Sequence, residues 1–258
     1  MTEPTGNKAS RADAERLIHE ARLGRDAEDA LVANLDETVL LGCVGLEPDH
    51  VDGADATLVS VVIDMSGSMG AHARAVIDAY NTMQKALTEA KASSAILTTT
   101  WTFSDALALH SGFEAVGRKP PLTSATYQPS GGTALYDAVL AAMTGLVSYS
   151  QALWDGGIPT RRVLFVLSDG EDNASRAPVS SVARAASALA ADEAYTLAFA
   201  GFGGGDLGAV AKAMGFSNVV SASPSPSEIR AVFRQVSQSV IRVSQGAQPG
   251  PTFGFFSP

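Results

Sequence analysis

The sequence predicts a doubly wound α/β fold: a mostly parallel six-stranded sheet with one antiparallel edge strand, helices on both faces, and an N-terminal helical extension. Three observations predict it. From residue 57 onward, short apolar runs alternate with segments of helical periodicity, which is the element order of a doubly wound sheet. The runs at 57–64 and 161–168 are almost continuously apolar, as in strands buried on both faces. The runs at 96–103 and 106–113 are separated by two residues, which indicates a hairpin and therefore one antiparallel strand.

The other elements follow along the chain, and each helix is assigned from apolar side chains at helical spacing. They are a helix at 9–35 that Gly24 divides, a strand at 38–46, helices at 71–91, 133–150 and about 178–191, a strand at 195–202, a short helix at 205–214, a short strand at 217–221 and a closing helix at 226–243. The predicted domains are an N-terminal extension at 1–55 (a helical segment plus one strand), an α/β domain at 56–243, and a Gly/Pro-rich tail at 244–258.

Composition narrows the classes of function. A chain of 258 residues suits one sizeable α/β domain with a smaller extension. The net charge of −9 argues against nucleic acid binding, because contacts with phosphates need clustered Lys and Arg. The single cysteine, Cys43, leaves no intrachain disulfide. The first sixteen residues lack the apolar core of a secretory signal, and no run approaches the roughly 20 apolar residues of a membrane span. We therefore expect a cytoplasmic protein with no membrane partner.

Three polar segments occur where strands end or helices begin. They are Asp64-Met65-Ser66-Gly67-Ser68 after the first buried strand, Gly131-Gly132-Thr133 at the start of a helix, and Ser168-Asp169-Gly170 at the end of a later strand. In doubly wound sheets ligands bind beyond the carboxyl ends of the strands, where the strand order reverses. We therefore expect these segments to meet at one edge of the sheet.

The residue types in these segments predict a site for a hard cation. The candidate ligands are Asp64, Ser66, Ser68, Thr133 and Asp169. Carboxylate and hydroxyl oxygens suit Mg²⁺ or Mn²⁺, with Ca²⁺ possible as well. Because only two carboxylates converge, a ligand position would stay open. An Asp or Glu from a partner protein could fill it.

These motifs resemble the metal-ion-dependent adhesion site of von Willebrand factor A domains, and the resemblance covers about residues 56–243. It implies that the hydroxyls of Ser66, Ser68 and Thr133 bind the ion directly, whereas Asp64 and Asp169 often act through water. It also implies a divalent-cation-dependent protein interaction module that is not an enzyme.

Two further segments are similar to a bacterial subgroup of that family. GGTALYDAV at 131–139 and FRQVSQSVIRVSQG at 233–246 resemble stand-alone bacterial proteins of the tellurium-resistance-associated type. That similarity implies a role in a stress response, within a multi-protein system that contains an AAA+ ATPase, a kinase or a phosphatase.

Several alternatives remain open from the sequence. Ser68 and Thr133 could simply cap helices. The same cation site could belong to a phosphoester hydrolase, although no general base is evident and all four histidines precede Asp169. The domain could also be structural, with no metal. The extension could cover the domain or dock a partner, and the tail phenylalanines at 253, 255 and 256 could pack or form a linear motif.

The remaining acidic residues near these segments are expected to have simpler roles. Asp105 is expected to form the hairpin turn, and Asp137 to favour the N-terminus of its helix electrostatically. Glu171 and Asp172 are expected to be solvated.

Overall fold

The computed structural model describes residues 9–91, 93–169, 172–203, 206–246 and 254–256, and its centre is a six-stranded sheet. The strand order is β3-β2-β1-β4-β5-β6, and every neighbouring pair is parallel except β2 with β3. The predicted fold class is confirmed. The strands are Ala56–Asp64 (β1), Ile96–Phe103 (β2), Leu107–Ala115 (β3), Thr160–Ser168 (β4), Tyr195–Phe202 (β5) and Asn218–Ala222 (β6).

Helices cover both faces of the sheet. They are Arg11–Glu20 (α1), Arg25–Ala33 (α2), Glu37–Leu41 (α3), Ala73–Thr88 (α4), Leu135–Asp155 (α5), Val179–Ala190 (α6), Leu207–Ala213 (α7) and Pro226–Ser244 (α8). One face packs against α5, α6 and α7, with α1 and α2 lying outside α5 and α6 as a further layer. The other face packs against α4 and α8. No helix within the described ranges is long and apolar enough to span a bilayer.

Strand β1 occupies the middle of the sheet, and all nine of its residues are buried. It pairs with β2 on one side and β4 on the other, with Asp64 opposite Phe103 and Ile63 opposite Leu167. The chain therefore crosses over in opposite directions from β1, and the strand order reverses there. A crevice opens at such a point beyond the carboxyl ends of the strands. Asp64, the last residue of β1, lies at this crevice.

The strand expected at 38–46 is wrong. Residues Glu37–Leu41 form helix α3, and Asp36 caps it by accepting a hydrogen bond from the Val39 amide at 2.9 Å. The apolar run TVLLGCV favoured a strand. The aspartate before it, however, is a favourable N-cap residue, and this local feature stabilises a helix instead. Within the predicted strand, which lies wholly in the described ranges, Gly45 forms an isolated bridge with Phe113 of β3.

The extension is attached to the domain by close contacts at glycines. A Cβ atom at Gly42 would lie 2.0 Å from the indole ring of Trp101 in β2, and one at Gly145 in α5 would lie 2.5 Å from the Gly42 carbonyl oxygen. Further along, the Leu46 carbonyl accepts a hydrogen bond from the Tyr149 hydroxyl at 2.8 Å. The extension therefore covers α5 and the β2–β3 edge, as the simpler alternative expects.

The end of the chain also packs on the domain where it is described. Phe255 is buried, its amide donates to the Asn218 side chain at 3.1 Å, and its carbonyl accepts a hydrogen bond from Ser239 of α8. Phe256 makes an edge contact with Phe165 of β4 at 6.4 Å between ring centroids. Packing is thus the outcome for these two residues, and Phe253 lies outside the described residues.

Gly42→Ala should destabilise the fold, because the new methyl group would overlap the Trp101 ring. Overpacking of a well-packed core costs about 1–3 kcal/mol. The measurement is the free energy of unfolding from urea titration, with Gly70→Ala as the control, since nothing lies within 4 Å of a Cβ atom there. Equal stability of the two variants would contradict the proposed close contact.

Candidate metal centre

The first predicted segment follows β1 directly and turns at Asp64. One carboxylate oxygen of Asp64 accepts a hydrogen bond from the Ser66 amide at 2.7 Å, and the other accepts one from the Ser168 hydroxyl at 2.6 Å. Gly67–His72 then form a short 3₁₀ helix that leads into α4. Neither this turn nor α4 is capped by a serine side chain, so Ser66 and Ser68 do not serve as helix caps.

The hydroxyls of this segment point toward the third segment. The Ser66 and Ser68 hydroxyl oxygens lie 3.0 Å apart, and Ser68 donates a hydrogen bond to the Asp169 carboxylate. Because Ser168 binds Asp64, two hydrogen bonds join the end of β4 to the end of β1 and its loop. Four of the five predicted residues, Asp64, Ser66, Ser68 and Asp169, are therefore in one connected cluster.

The second segment lies beside the first through its backbone. The Gly67 amide donates to the Gly131 carbonyl at 3.1 Å, and Ser130 donates to the Met65 carbonyl at 2.9 Å. Gly131 has φ +76°, and a Cβ atom there would also overlap the carboxylate of Asp105. Glycine is thus required at this turn.

Thr133 lies at the base of this loop and is only 3% exposed. Its amide donates to the Asn173 side chain at 2.8 Å, and its carbonyl accepts from the Asn173 and Ala174 amides. Its hydroxyl makes no hydrogen bond to any residue in the described ranges. Helix α5 is capped at Ala134 with no side-chain hydrogen bond, so Thr133 does not act as the expected N-cap. A hydroxyl without a protein partner is available to a ligand.

Several supporting residues were missed from the sequence. Ser168 binds Asp64, Asn173 positions Thr133, and the Tyr127 hydroxyl donates to the Asp64 carbonyl at 2.5 Å. Ser168 carries a usable signal, since it precedes Asp169 at the end of a buried strand. Tyr127 and Asn173 lie in loops without periodicity, so nothing local marks them.

Two acidic residues have larger roles than the sequence indicates. Asp105, assigned to turn formation, also accepts a hydrogen bond from the Gly132 amide and so links the hairpin to the second segment. Asp137, assigned to the helix N-terminus, accepts hydrogen bonds from the Arg176 and Ala177 amides at 3.0 and 2.9 Å and orders the loop after β4. Asp172, expected to be solvated, accepts a hydrogen bond from Ser175. Gly170 and Glu171 lie outside the described residues.

The cluster concentrates negative charge in a buried place. Burial raises the pKa of the Asp64 carboxyl, and the charge of Asp169 adds to this, while the hydrogen bonds from Ser168 and Ser66 lower it. Burial also raises the pKa of the Tyr127 hydroxyl, again with contributions from the charges of Asp64 and Asp169. No positively charged side chain contributes to either shift. A bound cation would offset this charge.

The residues present fit a hard divalent ion that binds oxygen. No group of three or more His, Cys, Asp or Glu residues within the described ranges could hold a metal, so a zinc-type or all-carboxylate site is not formed there. The cluster instead supplies two carboxylates and two hydroxyls, and the neighbouring Thr133 offers a third hydroxyl, which has no partner among the described residues. Mg²⁺ and Mn²⁺ accept such oxygen ligands and commonly retain water. That the five residues bind metal stays a prediction.

Comparison with solved structures places the fold among von Willebrand factor A-like domains. A von Willebrand factor type A protein from Catenulispora acidiphila is 18% identical over 72% of this chain and 43% of that chain, with a TM-score of 0.51. The pilus adhesin SpaC from Lactobacillus rhamnosus GG, in its open conformation, is 14% identical over 73% and 30%, with a TM-score of 0.56. The PilB minor pilin from Streptococcus sanguinis is 15% identical over 74% and 63%, with a TM-score of 0.54.

At 14–18% identity, these similarities establish the fold alone. The chain spans less than two thirds of the length of each of these structures. No family model matches the sequence, and no curated protein matches it.

Asp64→Asn should leave the protein in chelator at least as stable as the parent. The pKa of Asp64 is raised in the folded state, so the ionised carboxylate opposes folding at neutral pH and this cost disappears as pH falls through the folded pKa. The variant removes the charge and keeps both hydrogen-bonding positions. We expect its melting temperature in EDTA to equal or exceed that of the parent at pH 7, with the difference shrinking as the pH is lowered. A large loss of stability would show that the charge itself holds the loops together.

Proposed function

We propose that this chain is a divalent-cation-dependent protein interaction module, in which Asp64, Ser66, Ser68, Thr133 and Asp169 hold Mg²⁺ or Mn²⁺ and a partner supplies an Asp or Glu carboxylate. One observation carries the proposal. The hydroxyl of Thr133, a residue that is 3% exposed, has no hydrogen-bond partner within the described ranges, and it belongs to the segment that lies against the hydroxyl and carboxylate cluster at the strand-order reversal.

Each residue has a distinct part in the proposal. The hydroxyls of Ser66, Ser68 and Thr133 would contact the ion as neutral oxygen ligands. Asp64 and Asp169 would supply two negative charges, and both Asp64 oxygens are already held by protein donors. When bound, the ion supplies a positive charge with an incompletely filled coordination shell. A carboxylate from outside would therefore be attracted to it and could replace a water ligand.

An interaction role is favoured over hydrolysis by what surrounds the cluster. A hydrolase needs a general base within hydrogen-bonding reach of its water or nucleophile. Among the described residues, the hydrogen-bond partners of Asp64, Ser66 and Thr133 are Ser, Tyr and Asn side chains and backbone groups. The solved structures with this fold include proteins described as a pilus adhesin and a minor pilin. Their descriptions agree with binding more than with turnover.

The cellular setting belongs to the same proposal. The similarity of 131–139 and 233–246 to bacterial stand-alone proteins of the tellurium-resistance-associated type supports a cytoplasmic multi-protein system active in a stress response. Within it, an AAA+ ATPase, a kinase or a phosphatase would offer the acidic residue.

Titration with Mg²⁺, Mn²⁺ and Ca²⁺ tests the ion site. A ligand at one hundred times its Kd stabilises the folded state by about 2.7 kcal/mol. For a protein of this size that corresponds to a rise in melting temperature of roughly 5–10 °C. Thr133→Ala and Asp169→Ala should abolish the rise and the calorimetric heat of binding.

Ser130→Ala is the matched control, because it removes an exposed hydroxyl from the same loop without touching the proposed ligands. Its metal response should equal that of the parent. Absence of any metal response in the parent would contradict the proposal and leave a purely structural domain. Mg²⁺-dependent turnover of p-nitrophenyl phosphate that Asp169→Ala removes would replace binding with hydrolysis.

A further inference from the structure

A groove begins beside the candidate metal centre and continues along the seam between the extension and the domain. It consists of three adjoining cavities of about 320, 660 and 610 Å³. The first is lined by Ala134 and Ala174, and the Ala174 amide donates to the Thr133 carbonyl. The first and second share Asp36 and Asp137, and the second and third share Asp26 and Arg184. We call this continuous depression the α2–α6 groove.

The residue numbers of the lining show how the α2–α6 groove runs relative to the two helices. On the domain side its lining advances from Ala174, next to the candidate metal centre, to Ala188 near the end of α6. On the extension side it runs backward from Asp36 to Leu23, so α2 and α6 form antiparallel walls. Asp137 fixes the near end, because its carboxylate holds the amides of Arg176 and Ala177.

The dimensions suit an extended peptide. The ten steps from Pro178 to Ala188 rise about 15 Å along a helix at 1.5 Å per residue. An extended segment of about five residues covers that length at roughly 3.3 Å per residue. A few more residues would bridge the first cavity to reach the metal centre.

The charges in the α2–α6 groove favour a cationic side chain. The lining carries five acidic side chains, Asp26, Asp29, Asp36, Asp105 and Asp137, and three basic ones, Arg25, Arg176 and Arg184. Arg176 lies 3.7 Å from Asp137, so that pair is neutralised. Asp26 and Asp29 are exposed, lie three residues apart on one face of α2, and have no ion-pair partner in the part of the chain that the structure describes. They form an acidic patch in the middle of the groove, where Arg184 also lies and donates a hydrogen bond to Ser181.

We propose that the α2–α6 groove binds the extended segment adjoining the acidic residue that the partner offers to the cation, with a Lys or Arg of that segment over Asp26 and Asp29. The inference rests on the proposed function and deepens it. The ion would select any accessible carboxylate, whereas the groove would select the sequence beside it. The N-terminal extension would therefore both cover the domain and determine which partner binds.

Selection from a random dodecapeptide library displayed on phage tests this inference. The full chain is immobilised in Mg²⁺, and the enriched peptides are synthesised and titrated by calorimetry. We expect each to carry one Asp or Glu and one Lys or Arg at a fixed spacing. Asp29→Lys should raise the Kd at least tenfold, because it places like charges together.

The matched control is Asp78→Lys, which changes the net charge equally at an exposed position on α4, across the sheet from the groove. It should leave the Kd within twofold of the parent value. A peptide whose basic residue is replaced by Glu should recover affinity for Asp29→Lys but not for the parent. Circular dichroism checks that both variants are folded.

The outcomes separate the groove from the ion site. Equal affinities of Asp29→Lys and Asp78→Lys, with binding still lost in Asp64→Ala and in EDTA, would overturn the groove and leave the proposed function standing. Binding that survives Asp64→Ala and EDTA would overturn both. A concentration-dependent dimer in sedimentation equilibrium that Asp29→Lys dissociates would assign the groove to a second copy of the chain and overturn the peptide assignment.

Discussion

The carboxylate of Asp64 has no exposed surface. Yet Asp64 is the last residue of β1, and it lies at the crevice where the strand order of the sheet reverses. The arrangement of the surrounding loops depends on this charge. Burial without a counter-charge is costly, so each oxygen is held by a donor, one from the following turn and one from β4. The hydrogen bond from Ser168 joins the third polar segment to the first, and backbone hydrogen bonds of Met65 and Gly67 join the second segment to them. The unneutralised charge is the feature that the proposed cation would offset.

The loops around this carboxylate are joined by contacts of backbone groups and short side chains. The Gly67 amide donates to the Gly131 carbonyl, and Asn173 accepts a hydrogen bond from the Thr133 amide and donates one to the Thr133 carbonyl. In the proposed metal site, ligand atoms that are positioned before the ion arrives would lose little conformational entropy when it binds.

The fold was predictable because it follows from local pattern: buried strands, helical spacing and a two-residue hairpin turn each occur within one stretch of sequence. The strand expected at 38–46 was wrong because one capping residue, Asp36, outweighed a β-branched apolar run. In the site, the three segments were predictable from their place at strand ends. The contacts of Tyr127 and Asn173, and the link from Asp105 to Gly132, were not, since they join loops far apart in sequence and leave no periodic trace.

The glycine contacts between the extension and the domain have a consequence for how this chain can change over evolution. A side chain at Gly42 would overlap the Trp101 ring, and one at Gly145 would overlap the backbone of Gly42. Position 42 should therefore covary with position 101, and so should Gly45 with Tyr149, whose ring also lies within 2.5 Å of a Cβ atom at the glycine. The extension and the domain should therefore evolve together. An extension taken from a distant protein would not fit the surface of α5 and β2 against which this one packs.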